Sequence, residues 1–147
     1  MPVPATPTQV FEQLIGQISS GDPSRIHELY AEDARVEVVF APGAPRGIQG
    51  REQIRKVFAQ LAEGNSLGLK AEKVKVHQTA DPEVVIAEFD YRGLSSTNGN
   101  EFTVSNIQVL RVRDGLIVET RDYHDHLALA VADGRVTDLA AVMLPHP

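Results

Sequence analysis

The second half of the chain is built on a two-residue alternation of side-chain character, and a sheet is the structure that satisfies it. Val84–Leu94, Glu101–Arg113 and Leu116–His126 are three long runs that divide into two side-chain sets at alternate positions. Side chains on a strand point to opposite faces in turn, so each run reads as a strand. The polar stretch Ser95–Asn100 separates the first two runs, and Asp114-Gly115 separates the last two. Both read as hairpin connections. Asp-Gly is the sharper signal, because a tight hairpin turn needs residues that accept positive φ. Three strands joined this way form an antiparallel meander. Two shorter runs, Arg35–Phe40 and Lys73–Thr79, add further strands; the first is followed by a proline- and glycine-rich loop over Pro42–Gly47.

The first half repeats with a helical period instead. Thr6 with Gln9 three residues on forms a capping box, and Pro7 suits the first helical position. Val10, Phe11, Leu14, Ile15 and Ile18 then make one apolar stripe, closed by Gly21. Asp22-Pro23 opens a short second helix with Ile26, Leu29 and Tyr30 inward, and Ile54, Val57, Phe58 and Leu61 mark a third that stops at Gly64. Helices first and an antiparallel meander after them define an α+β domain. Three N-terminal helices packed on one face of a bent, mostly antiparallel sheet enclose an apolar pocket in a cone. A length of 147 residues suits a single domain over 1–147, with a disordered lead-in at 1–6, a core at 8–132 and a C-terminal tail at 133–147.

Composition narrows the partners. Fourteen Lys and Arg stand against twenty Asp and Glu, a formal charge of −6. Nucleic acid and anionic membranes select for basic surface, so neither is expected as a partner. With no cysteine, disulfides, thiolate metal sites and cysteine nucleophiles are excluded. The N-terminus has no basic region followed by an apolar one, and no run approaches membrane-spanning length, so the cytoplasm is the expected location.

Alternation alone leaves the inner face open, because each set on each strand carries both apolar and polar residues. The layout, however, resembles a known superfamily. Leu29–Glu37, the segment Gly50–Ile54, the hairpin Arg111–Gly115 and Arg121–Asp125 are similar to the nuclear-transport-factor-2-like superfamily, which includes ketosteroid isomerase, limonene-epoxide hydrolase and the SnoaL-like polyketide cyclases. The resemblance implies the cone fold. It places Val36, Val38, Glu88, Asp90, Asn106, Gln108, Asp122 and His124 inside the cone and the other sets on a convex face used for homodimerisation.

It also grades the activities. The ketosteroid-isomerase base falls on Val38 and its two oxyanion donors on Leu14 and Gln108, so that constellation is missing. The two aspartates of limonene-epoxide hydrolase fall on Asp90 and Asp122, but its arginine falls on Glu88 and its Tyr and Asn on Val36 and Val38. The late-strand acid/base of the SnoaL-like cyclases falls on Asp122, with Asn106 and Gln108 on the neighbouring strand. The resemblance therefore implies proton transfer, cyclisation or isomerisation on a small apolar carbonyl substrate. Asp122 is the main acid/base, Asp90 or Glu88 its partner, and His124 on the same face either a further acid or an imidazolium that offsets the carboxylates. Asn106 and Gln108 are the oxyanion donors, and Val36, Val38, Phe40, Phe58, Ile86 and Val104 the apolar wall. Epoxide opening and a non-catalytic binding or dimerisation module remain alternatives. Carboxylates sharing an apolar cone cannot all ionise, so one of them should hold a proton. The bland readings are an ion pair for Glu88 and a solvated strand end for Asp90. Asp122, His124 and His126 at alternate positions also have ligand spacing. His126, however, falls where the strand should be ending, and neither metal nor cofactor is expected.

Overall fold

The computed structural model describes residues 2–43, 46–63, 69–95 and 97–144, and for 61–63 the backbone alone. The expected helix stop at Gly64, the Leu61 side chain, Ser96, part of the Pro42–Gly47 loop and the end from Pro145 lie outside the described residues.

Helix α1 (Pro7–Ser20) begins as its sequence dictates. The Gln9 amide N–H donates to Thr6 Oγ1 at 3.2 Å, and the Thr6 N–H donates to Gln9 Oε1 at 2.9 Å. Gly21 ends it in the left-handed conformation, φ 81°. The second expected helix is one 3-10 turn, Ile26–Leu29, because strand β1 (Tyr30–Val38) takes over at Tyr30. The short strand β2 (Gly47–Gln49) and helix α2 (Arg51–Glu63) follow. Strands β3 (Lys70–Gln78), β4 (Val84–Leu94), β5 (Glu101–Arg113) and β6 (Leu116–His124) form the meander. Asp114 and Gly115 both have positive φ, 53° and 79°, as the two-residue turn between β5 and β6 requires.

The six strands form one sheet in the order β2-β1-β6-β5-β4-β3. Only the β1–β6 pairing is parallel; the other neighbours run antiparallel. The sheet curves around α1 and α2. The buried core joins Val10, Phe11 and Leu14 of α1 to Val85, Ala87 and Phe89 of β4 and to Leu110 and Val112 of β5. Phe11 and Phe89 meet at 5.5 Å between ring centroids.

The C-terminal part is more ordered than its composition suggests. Asp125 caps helix α3 (His126–Asp133) by accepting from the Ala128 N–H at 2.9 Å, so β6 stops at His124 rather than at His126. Helix α4 (Val136–Met143) occupies most of the expected tail. Ser95 Oγ donates to Asp133 Oδ1 at 2.7 Å and ties α3 to the β4–β5 hairpin. No helix among the described residues is long and apolar enough to cross a membrane.

Candidate functional site

Register decides which side chains share the inside of the cone. Across β4 and β5, Ala87 pairs with Gln108 and Phe89 with Asn106; across β5 and β6, Gln108 pairs with Asp122 and Asn106 with His124. Val36 and Val38 of β1 pair with Thr120 and Asp122 of β6. Paired residues point to the same face. The inner face therefore carries Val36, Val38, Val104, Asn106, Gln108, Asp122 and His124, and the sequence expectation places all of these inside.

Glu88 and Asp90 are a correction. They pair with Ile107 and Ser105 and stand on the outer face. Glu88 Oε2 lies 2.6 Å from His77 Nε2, and Asp90 Oδ1 accepts from Ser105 Oγ at 2.8 Å. Ile86, expected on the inner wall, shares their face. The inward set of β4 is Val85, Ala87, Phe89 and Tyr91, which packs on α1. Burying that set gains apolar contact; burying Glu88 and Asp90 would strip two carboxylates of water. A one-residue change of parity exchanges the two sets completely. Phe40 also differs. Strand β1 ends at Val38, alternation stops there, and Phe40 is exposed with its ring edge-on to Tyr123 at 5.5 Å. Phe58 of α2 is half-buried against the core, 6.3 Å from the Tyr30 ring.

Asp122 is 9% exposed. Its Oδ1 accepts from Gln108 Nε2 at 2.8 Å, and its Oδ2 lies 3.9 Å from His124 Nε2. No Lys or Arg pairs with it among the described residues. Burial pushes its carboxyl above the ordinary range, against the opposing pull of the His124 charge and the Gln108 amide. His124 Nδ1 is 2.7 Å from Asn106 Oδ1, and Asn106 Nδ2 donates to the Val104 carbonyl at 3.2 Å. Asn106 and Gln108 are thus engaged within the cluster. The Thr120 hydroxyl, buried on the same face, adds a further, smaller pull that lowers the Asp122 carboxyl.

Two groups escape sequence reasoning, Tyr30 and Tyr91. Both are pushed well above the ordinary phenol range, first by burial and then by the charge of Asp122, so both remain protonated. The available signal for Tyr91 is that Val85, Ala87, Phe89 and Tyr91 form the bulkier apolar set of β4; Tyr30 reads as helical only because β1 starts earlier than its alternation suggests. The metal spacing does not survive folding. His126 opens α3 instead of extending β6, its ring edge-on to His124 at 5.9 Å. Among the described residues no group of three His, Asp or Glu side chains is gathered to hold an ion.

A curved, mostly antiparallel sheet wrapped on its N-terminal helices, with a polar cluster at the centre of its concave face, defines the cone fold of the nuclear-transport-factor-2-like superfamily. Residues 11–120 match the SnoaL-like domain, and the chain belongs to that family. It is 30% identical over 127 residues to an uncharacterised PhzA/B-like protein of Pseudomonas aeruginosa, covering 86% of this chain and 89% of that one. It is 34% identical over 108 residues to the uncharacterised protein YesE of Bacillus subtilis, covering 73% of each. Among solved structures, a Bacillus subtilis protein provisionally named an isomerase superposes with a TM-score of 0.78 at 29% identity, covering 88% of this chain and 93% of that one. The epoxide hydrolase/cyclase-like enzyme SalBIII, of pyran ring formation in polyether salinomycin, shares the fold with a TM-score of 0.68 at 16% identity, covering 82% and 92%.

Proposed function

We propose that this chain is an acid/base enzyme that moves a proton at the carbon next to a carbonyl, isomerising or cyclising a small apolar substrate within the cone. One observation carries the reading. Among the described residues one carboxyl, Asp122, is buried on the inner face, bound by an uncharged amide and pushed up by burial. A structural carboxylate in such a place is ordinarily matched by a guanidinium or ammonium, whereas an unmatched one has a pKa moved toward neutrality, where proton transfer is efficient. Val36, Val38 and Val104 supply apolar surface on the same face as Asp122, and Tyr30 and Tyr91 supply protonated phenols beside it.

The test is α-carbon deuterium exchange. A panel of small cyclic ketones is incubated in D2O and followed by proton NMR. The wild type incorporates deuterium, and Asp122→Asn does so about 100-fold more slowly. Equal rates in the two proteins overturn the assignment, and a folded wild type that exchanges no ketone favours a binding module without chemistry. Epoxide opening by two inner carboxylates loses its support, since Asp90 lies on the other face.

We also propose that a second copy of the chain docks on the outer face. A groove of 810 Å³ lies between the sheet and α4, lined by Phe40, Ile107, Tyr123, Leu139 and Met143 and reaching His124. Neither α3 nor α4 has a buried residue. The face mixes Lys73 and Lys75 with Glu88 and Asp90, a pattern of both signs that can complement itself across a twofold axis.

A further inference from the structure

We infer that His124 is the base of this site, that Asp122 is its proton donor, and that Asn106 is the positioning residue that locks the imidazole into the tautomer this division needs. The inference deepens the acid/base reading and rests on it for the catalytic roles; the tautomer stands or falls by itself.

Asn106, His124, Gln108 and Asp122 form two rungs of one ladder. Asn106 pairs with His124, and Gln108 with Asp122, on the same face of β5 and β6. In each rung an amide on β5 holds a titratable group on β6. Asn106 is 4% exposed, and its amide has one orientation that fits. Nδ2 must face the Val104 carbonyl, at 3.2 Å, because a carbonyl accepts only. Oδ1 is then turned to His124 Nδ1 at 2.7 Å. An amide oxygen cannot donate, so Nδ1 must be the ring nitrogen that carries hydrogen whatever the charge of the ring. In the neutral ring Nε2 is left bare. It faces Asp122 Oδ2 across 3.9 Å, too long for a hydrogen bond between them. An oxygen seated to one side of that gap reaches both within hydrogen-bond distance.

Gln108 holds the other Asp122 oxygen at 2.8 Å, so Oδ2 is the oxygen presented to this gap. Burial favours the protonated carboxyl over the carboxylate. With that proton on Asp122 and the ring neutral, the pair is one acid and one bare nitrogen. On a carbonyl substrate, the proton on the adjacent carbon passes to His124 Nε2 while Asp122 gives its proton to the carbonyl oxygen. The products are the enol, an imidazolium and a carboxylate. The imidazolium returns its proton to carbon at a second position and the enol O–H reprotonates Asp122, so protons balance and no redox partner is needed. The other titratable groups around the pair are the Tyr30 and Tyr91 phenols near Asp122, Asp125 at the cap of α3, and the His126 ring edge-on to His124. Burial and the neighbouring His124 both hold His126 below the ordinary imidazole range, which keeps it neutral beside the pair.

The experiment is ring-nitrogen NMR on the whole chain labelled with 15N-histidine at pH 8. His124 is expected with a protonated Nδ1 and a bare Nε2. Asn106→Leu shifts it to the Nε2–H form, and Asn106→Asp, which keeps an accepting oxygen, retains the Nδ1–H form. His27 and His77 report whether each variant stays folded. A wild-type His124 in the Nε2–H form overturns the tautomer assignment with no variant needed. For the catalytic half, His124→Gln slows ketone α-exchange about 100-fold. If it leaves the rate unchanged while Asp122→Asn abolishes exchange, His124 is not the base and the acid/base reading survives without it. A wild type that exchanges no ketone overturns that reading and the catalytic half together.

Discussion

A carboxyl placed where Asp122 is placed sets stability against ionisation. Its folded-state pKa lies above its unfolded value, so the folded chain binds that proton more tightly than the unfolded one. The stability from this group is complete below the unfolded value and is lost as pH rises through the folded one. Asp122→Asn removes the charge, keeps an oxygen for the Gln108 amide, and should melt higher than the wild type at pH 8. The difference should close as pH falls toward about 4, near the unfolded value for Asp. Thermal melts of both proteins across that range check it; a variant no more stable than the wild type at pH 8 argues that the carboxyl is solvated. At this scale the sequence is legible where family position and parity agree, as at Asp122, Asn106, Gln108 and His124. It misleads at Glu88 and Asp90, because placing them inside needs a parity on β4 that conflicts with its pairing to β5.

Elements were easier to read than residues, since caps and turns are local. The Thr6–Gln9 box and Gly21 bound α1 where the sequence puts them. Thr6→Ala should cost about 1 kcal/mol in urea unfolding, and Phe11→Ala, fully buried against Phe89, about 3–5 kcal/mol. The turn before β4 is held by a different force. Arg111 contacts both Asp81 and Glu83, and Arg113 contacts Glu83. Those guanidinium hydrogen bonds, Arg113's first, lower the Glu83 carboxyl to about 2. A depressed pKa contributes stability above the unfolded value that is lost as pH falls through the folded one, opposite in sign to Asp122. Glu83→Gln should therefore flatten the fall of the urea midpoint between about pH 4.5 and 2, within the range spanned by an ordinary Glu and this one. Three elements were not legible. β2 is three residues beside a proline-rich loop, too short to show alternation; α3 opens at His126, which reads as the end of β6; and α4 carries no side-chain cap at its start.

Across the whole molecule, the apolar side chains left outside are as informative as those within. Ile107 is 42% exposed and Met143 67%, on the face that carries the groove. Sedimentation velocity should give a particle of twice the 16.0 kDa chain mass. Ile107→Arg should return it to a monomer, since Ile107 stands on the outer side of β5. A wild-type monomer at micromolar concentration counts against the second copy. The amino-acid sequence by itself determined the kind and order of most elements and the hairpins between β4, β5 and β6, because period, caps and turn residues act over a few positions. Only the tertiary structure decided which face of each strand is inside. Parity is relative, each face offers apolar and polar residues, and irregularities within β1–β6, β3–β4 and β5–β6 pairings interrupt any count along the chain. The choice was made by the contact of α1 with β4, where Phe11 meets Phe89, and from that contact the cross-strand register carries it to Asn106, His124, Gln108 and Asp122.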